Sequence, residues 1–417
     1  MSRLIAAVLA SLTAIAMHSA EVERYQYNEY YYQRSSLFEV MPIANTDIVF
    51  VGNSLTNGGR WHEMFGDNLR VKNRGIISDV VQGIADRIKP VTDGHPQKIF
   101  LLVGINDISH HLTADSIATA VENLVATIRR DAPSSTLYLQ SMLPINNDFH
   151  RYRNLIGTET EVLKTNVLLE QVARRHGVQW VNLFPAFADR ECKLIKSFTS
   201  DGLHLNSDGY RVWRREVARY VGLDIDADAA PLSQIKPSDI VLLGNSLVSG
   251  AEWHELAANA AVKSRTVGSD AVDYLPKLAA SVANHHPKRV VLLPSYVANA
   301  DAASRMALVP DSIVSAMTRA IDAIKAASPQ TEIVLQGMMP VNGAYEKYAT
   351  LVDAKAMKSL NGKLKKLARR NGVAWVDLMA TFADSTGELK PELTNDGFHL
   401  MGCGYAAWAA LLSPYLK

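Results

Sequence analysis

The sequence predicts an α/β protein made of two tandem three-layer units, each a five-stranded parallel sheet with helices on both faces. Three observations carry that prediction. Short, β-rich apolar runs alternate with amphipathic segments along the chain. The stretch Asp47-Ile-Val-Phe-Val-Gly-Asn-Ser-Leu returns as Asp239-Ile-Val-Leu-Leu-Gly-Asn-Ser-Leu, so one strand-and-serine phrase leads to Ser54 and again to Ser246. A length of 417 residues, with 48% apolar and 20% charged residues, suits two ordinary folded domains and argues against disorder.

The chain opens with Arg3, an apolar run from Leu4 to Met17, and the small residues Ser19 and Ala20. This reads as a signal peptide over 1–20, cut after Ala16 or Ala20. The run is short for a bilayer span, and no later segment is long and apolar enough to cross one. An exported protein, periplasmic or secreted, with no integral membrane segment after signal removal, is therefore expected. The tyrosine-rich stretch from Tyr25 is read as an N-terminal helix packed through its rings, with a sugar-facing surface as the alternative.

The first unit is placed at 21–222. Its strands are expected at 47–51, 71–74, 98–103, 136–141 and 178–183. Its helices fall near 60–69, 79–89, 115–131, 158–176 and 207–221. Pro90, Pro133 and Gly177 punctuate them. Residues 223–237 carry no period and are read as a linker. The second unit, 238–417, repeats the first. Trp61-His-Glu matches Trp253-His-Glu, and Gln140-Ser-Met-Leu-Pro-Ile-Asn matches Gln336-Gly-Met-Met-Pro-Val-Asn. Asp201-Gly-Leu-His-Leu matches Asp396-Gly-Phe-His-Leu. Trp61 is expected in the core and His62 at a rim.

The net charge of +1, from 43 basic and 42 acidic residues, shows no basic patch interleaved with aromatics, so nucleic acid is not an expected partner. Cys192 and Cys403 fall at non-equivalent places in the two units, and two free thiols are expected.

Ser54 follows a buried strand, at the sheet edge where open α/β sheets bind ligands. Asp201 and His204 lie three apart before the last helix of the unit. A serine needs a base to take its proton, and a histidine of ordinary pKa does so near neutrality. Activity resting on such a base is expected to fall in acid. A carboxylate must hold the imidazole's tautomer. Acyl transfer also needs donors for the developing oxyanion. Gly75 ends the second strand and could offer its N–H. Asn106 ends the third and could offer its amide, beside the N–H of Ser54. His110 and His111 are adjacent, point apart and have no acidic partner placed for them, so no metal and no cofactor are expected.

Gly-Asn-Ser-Leu, the glycine of Asn73-Arg-Gly, the asparagine of Gly-Ile-Asn-Asp, and Asp-Gly-Leu-His together resemble the four blocks of the SGNH (GDSL-type) hydrolases. Asn53 stands where that family often has Asp. The resemblance covers 47–221 and again 239–416. It implies a flavodoxin-like sheet of order 2-1-3-4-5 and esterase chemistry without metal or cofactor. It further implies Ser54 as nucleophile, His204 as base, Asp201 as its orienter, and Gly75 and Asn106 in the oxyanion hole.

The second unit keeps the triad types as Ser246, Asp396 and His399, but Thr266 aligns with Gly75 and Val297 with Asn106. Asn299 and Gly268 could substitute only through a rebuilt loop. The second unit is therefore expected to be a weak or inactive esterase that supports the first or binds substrate. Exported relatives of this layout resemble carbohydrate O-acetylesterases, including those acting on sialic acids. The expected substrate is an O-acylated, chiefly O-acetylated, glycan or a small ester. The alternatives are a lysophospholipase or thioesterase, and a non-catalytic glycan-binding protein built from hydrolase-like domains.

Overall fold

The computed structural model describes residues 26–267 and 271–417; the signal-peptide expectation over 1–20 and Gly268 lie outside them. Among the described residues helix α1 (Glu29–Glu39) comes first, capped by Asn28. Strands β1 (Ile48–Gly52), β2 (Val71–Gly75), β3 (Lys98–Leu102), β4 (Thr136–Gln140) and β5 (Gln179–Val181) then form one parallel sheet of order β2-β1-β3-β4-β5. This is the order that the family resemblance implies. Every residue of β1 is buried, because both faces of the sheet are covered. Val49, Val51, Ile99 and Leu101 feed one core. Ile48, Phe50, Phe100 and Leu102 feed the other, as a period of two requires. Helices α2 (Ser54–Asn57), α3 (Ala114–Asp131), α4 (Glu159–His176) and α5 (Ser207–Val221) include those that cover the sheet. The helix expected over 60–69 is only Trp61–Met64, because Gly66 and Asp67 turn the chain at φ values of 79° and 58°.

The second unit repeats this plan. Strands β6 (Ile240–Gly244), β7 (Val262–Thr266), β8 (Arg289–Leu292), β11 (Glu332–Gln336) and β12 (Ala374–Val376) give the order β12-β11-β8-β6-β7. A hairpin of β9 (Val297–Ala298) and β10 (Met306–Ala307) is inserted after β8. Helix α6 (Ser246–Ser249) follows β6 as α2 follows β1. Trp61 and Trp253 are both buried, and each indole N–H donates to a backbone carbonyl five residues earlier, at 2.8 and 2.7 Å.

The units meet through the same patch used twice, an isologous contact within one chain. Arg74, one residue from the end of β2, donates to both carboxylate oxygens of Glu255 at 2.9 and 2.8 Å. Its counterpart Arg265, one residue from the end of β7, donates to both oxygens of Glu63 at 3.0 and 2.8 Å. Between these pairs His62 stacks on its own equivalent, His254, with ring centroids 3.4 Å apart and planes 13° from parallel. His62 is thus an interface residue and not a rim contact.

The segments that precede each unit cross to the other. Tyr31, Leu37 and Phe38 of α1 belong to the core of the second unit, and Arg34 donates to Gly250 O and Glu252. The expectation of a helix packed through its rings on its own domain is met only in part. The Tyr31 hydroxyl reaches Gly83 O at 2.8 Å, but most of the helix seats on the second unit. Residues 223–237 hold no regular element yet are tied down. Buried Arg214 donates to the carbonyls of Ala227, Ala230 and Pro231, and Leu223, Ile225 and Leu232 pack on the first unit. Both cysteines are exposed free thiols.

The histidine stack sets a pH dependence. Burial lowers the pKa of both rings from 6.5 to about 4; His254 pushes His62 down further, and the carboxylates of Glu63, Glu252, Glu255 and Asp67 oppose the shift only in part. Lys72 and Arg74 also face His254 and disfavour its charge. Neither Nε2 has a hydrogen-bond partner among the described residues. Between the two values the unfolded chain binds more protons than the folded one, so stability falls as pH drops from 6.5 towards 4. The urea midpoint is expected to fall across that window and to fall less in a His62→Gln variant. A midpoint equal at pH 7 and pH 4.5 in the parent would refute this.

Candidate active site

β1 ends at Gly52, where a side chain would strike Leu102 O at 2.4 Å and Thr56 Oγ1 at 2.3 Å. Asn53 then caps α2, its side chain accepting from Leu55 N at 3.0 Å. This places Ser54 at the first position of α2, half-buried. Its N–H has no protein acceptor among the described residues.

The loop before α5 delivers the other two side chains. Asp201 Oδ1 accepts the N–H of Leu203 at 3.0 Å and of His204 at 2.8 Å, so the Asp-Gly-Leu-His turn folds around its own carboxylate. Thr199 Oγ1 accepts from Gly202 N at 2.9 Å and donates to His204 O at 2.7 Å, which locks the turn. Asp201 Oδ2 lies 2.8 Å from His204 Nδ1, and His204 Nε2 lies 3.0 Å from Ser54 Oγ. Burial raises the pKa of Asp201, but the hydrogen bonds from His204, Leu203 N–H and Tyr152 outweigh it and hold the carboxyl below its ordinary range. An ionised Asp201 accepts a hydrogen bond from Nδ1–H, which keeps the proton on Nδ1 and leaves Nε2 free to accept from the serine. The structure thus brings Ser54, His204 and Asp201 into one hydrogen-bonded chain, over 150 positions of sequence.

Asn106 sits where expected, after β3, and its Nδ2 donates to Asp79 O at 2.8 Å. That bond uses one amide hydrogen and leaves the second. Gly75 is a correction. Its N–H is already taken by Asn73 Oδ1 at 2.9 Å. It is a glycine for packing, since a Cβ there would meet Asn57 N at 2.2 Å. The available N–H is three residues on, at Ser78, which is exposed and has no acceptor among the described residues. Ser78 holds a left-handed φ of 63°, which costs a non-glycine residue on the order of 1–3 kcal/mol. The loop is clamped to sustain it. Besides the Asn106 bond, buried Asp107 accepts from Val81 N at 3.2 Å, and Arg87 bridges Asp79 and Gly52 O.

Tyr152 escaped the sequence reading. Its hydroxyl donates to Asp201 Oδ2 at 2.7 Å and lies 2.9 Å from His204 Nδ1. It stands in an irregular stretch between β4 and α4 that has no periodic signal.

In the second unit Ser246 Oγ is 3.0 Å from His399 Nε2, and His399 Nδ1 is 2.7 Å from Asp396 Oδ2. Burial raises the Asp396 pKa, but the His399 hydrogen bond outweighs it and brings it to about 2. The surroundings differ. Val297, which aligns with Asn106 in sequence, lies in the inserted hairpin and has no side-chain donor. Asn299 lies at the hairpin turn, where its N–H donates to Arg305 O at 3.0 Å and its Oδ1 accepts from Asp301 N at 3.2 Å. Thr266 ends β7, half-buried. Tyr348, the counterpart of Tyr152, is buried and stacks on Phe398 at 5.1 Å, away from any hydrogen bond to the triad.

Among the described residues one cluster, Glu252, His254 and Glu255, brings ligand-type atoms within 4.8 Å of one another. Its carboxylates are already engaged, Glu255 by Arg74 and Glu252 by Arg34. It is better built for ion pairing than for a cation.

The family model described as GDSL-like Lipase/Acylhydrolase matches residues 50–212 and again 242–407. The rat platelet-activating factor acetylhydrolase IB subunit alpha2 is 26% identical over 170 residues, 39% of this chain and 71% of that protein. An N-acylneuraminate cytidylyltransferase of Escherichia coli O18:K1:H7 is 26% identical over 182 residues, 42% of this chain; the match spans only 40% of that protein's length. A solved structure of a GDSL-like lipase from Bacteroides thetaiotaomicron aligns at 20% identity and a TM-score of 0.42, over 48% of this chain and 100% of that one.

Proposed function

Since the chain belongs to the GDSL-like lipase/acylhydrolase family in both of its units, we propose that it is an exported serine esterase that removes acetyl groups from O-acetylated glycans. The observation that carries this reading is the Ser54–His204–Asp201 chain of hydrogen bonds beside an amide with a hydrogen to spare.

In this mechanism Ser54 Oγ attacks the ester carbonyl while His204 Nε2 takes its proton. Asp201 holds Nδ1–H and stabilises the imidazolium, and Tyr152 fixes Asp201 in place. The oxyanion receives Ser54 N–H, Ser78 N–H and Asn106 Nδ2. His204 then protonates the departing sugar oxygen, and water activated by the same ring cleaves the acyl-enzyme.

Two features support an acetyl group on a large alcohol. The site is open: the His204 side chain keeps 39% of its exposure and stands at the surface, accessible to an ester on a polymer. The rat relative is by name an acetylhydrolase. That relative's substrate is platelet-activating factor, which favours an acetylated lipid as the second reading. The N-terminal pattern of charge, apolar run and small residues supports the export part of this reading.

Hydrolysis of O-acetyl sialic acids and acetylated oligosaccharides, read by mass spectrometry, should exceed hydrolysis of an acetylated ether phospholipid. p-Nitrophenyl acetate should be preferred over the octanoate. A strong octanoate preference would replace this reading with a lysophospholipase or thioesterase. No hydrolysis of any ester would leave a glycan-binding protein.

A further inference from the structure

An outer helix of the second unit has diverged in charge from its copy in the first. Helix α7 (Ala354–Asn371) carries five lysines, two arginines and no acidic residue, whereas α4 includes Glu159, Glu161 and Glu170. The near-neutral total of the chain conceals this local charge. Ala-Arg-Arg at 173–175 and at 368–370 fixes the register between the two helices. In that register Lys358 stands where the first unit has Leu163, Gly362 where it has Val167, and Lys365 where it has Glu170.

The three residues share one face of α7, at helical spacings of four and three. That face borders a groove of about 520 Å³, a volume suited to a small ring-sized ligand. Trp375 of β12, Asp377 and Asp384 line it as well. A Cβ added to Gly362 would meet nothing within 4 Å, so the glycine leaves open the space into which its counterpart Val167 projects a side chain. On this helix Lys363 pairs with Asp311 at 2.7 Å, while Lys358 and Lys365 have no ion-pair partner among the described residues. Asp377 Oδ1 accepts from Met379 N at 3.1 Å and Asp384 Oδ1 from Thr386 N at 2.8 Å, so each carboxylate is oriented through one oxygen. Two buried donors of the lining, Asn361 Nδ2 and Trp375 Nε1, have no acceptor among the described residues, although the equivalent Asn166 Nδ2 donates to Met142 O at 3.0 Å.

This lining is mixed in a particular way. Two ammonium groups suit a carboxylate, two carboxylates accept from hydroxyls, and an indole offers apolar surface to the C–H side of a sugar ring. A phosphate backbone would meet Asp377 and Asp384 as like charges. An anionic bilayer takes up exposed apolar side chains, and none of the large exposed apolar residues of the described chain lies on α7.

We infer that this groove is a binding subsite for a sugar that bears a carboxylate, a uronic or sialic acid residue, and that the second unit serves as a binding module for acidic glycans. This deepens the glycan reading above and rests on it only for the choice of a sugar over another carboxylate.

The test uses the full-length Ser54→Ala protein with a galacturonic acid trisaccharide and with the neutral galactose trisaccharide. Calorimetry gives Kd, and lysine acetylation with and without sugar, mapped by mass spectrometry, gives the site. The acidic trisaccharide is expected to bind and to protect Lys358 and Lys365 but not Lys164 on α4. Gly362→Val and Lys358→Leu/Lys365→Glu, which install the residues of the first unit, are expected to raise Kd at least about tenfold. The same substitutions in the parent are expected to leave hydrolysis of p-nitrophenyl acetate unchanged. No binding, equal affinity for the neutral trisaccharide, or an unchanged Kd in both variants would overturn the inference while leaving Ser54 as a glycan esterase. Tighter binding of an oligonucleotide or of phosphatidylglycerol vesicles at the same lysines would also overturn it and give the groove to that partner. Acidic-glycan binding at α7 in a parent that hydrolyses no ester would remove the esterase reading and leave the subsite standing.

Discussion

Ser54→Ala is expected to lower kcat for release of acetate from an O-acetylated glycan by at least about 10⁴-fold, while Ser246→Ala changes it less than about twofold. The asymmetry comes from the surroundings of two similar triads. Ser54 has its own N–H, the free N–H of Ser78 and one unspent hydrogen of Asn106, whose other hydrogen is held by Asp79 O at 2.8 Å. Asn106→Ala removes the side-chain donor together with its bond to Asp79 O, one of several clamps on the Ser78 loop, and should cost at least about 10²–10³-fold in kcat with little change in KM, since the oxyanion exists only along the reaction path. Both effects are read from initial rates of acetate release, with circular dichroism to show that the variants are folded. A Ser54→Ala protein keeping a tenth of the parent rate on the glycan, lost on further Ser246→Ala, would move the principal site to the second unit.

Glu255→Ala is expected to be the most destabilising interface substitution, by about 3–5 kcal/mol, because it leaves a buried guanidinium without its counter-charge. The Arg74 side chain is 0% exposed and that of Glu255 is 3% exposed. Burial pushes the Glu255 carboxyl up, but Arg74 and Lys72 outweigh it and bring its pKa from 4.5 to about 2. The sign follows from the lowered value. The ionised form is favoured in the folded state, so this stabilisation is complete above about pH 5 and is lost as pH falls towards 2. Glu63→Ala should cost less, since Arg265 keeps 12% exposure and can turn to water. The joint change Arg74→Met with Glu255→Met should recover most of the loss, because removing both charges leaves none uncompensated. Guanidinium unfolding of the four proteins checks this. A Glu255→Ala midpoint equal to the parent's would show that the reciprocal ion pairs do not hold the units together.

The sequence by itself determined the doubled α/β plan. Strand runs such as 48–52 and 240–244 are wholly apolar because a sheet covered on both faces buries every side chain. The repeat of the whole phrase from first strand to last helix identified the second copy. Ser54, Asp201 and His204 were legible for a related reason: each lies in a short turn whose shape is written locally. Asn53 caps the helix that Ser54 starts, and the Asp201 carboxylate folds the loop that carries His204.

Only the tertiary structure decided which backbone N–H is left for an oxyanion. Gly75 and Ser78 look alike as donors in sequence, but the side chain of Asn73 takes one and no acceptor among the described residues takes the other. Tyr152 could not be read because its contact depends on where an irregular stretch of chain comes to rest. The crossing of α1 onto the second unit, and the placing of His62 against His254, likewise depend on how the two finished units pack. Periodicity and turn chemistry are local and survive in the letters. Donor availability, burial of a charge and the closing of a cavity belong to pairs of residues far apart in the chain, and they exist only once those residues meet.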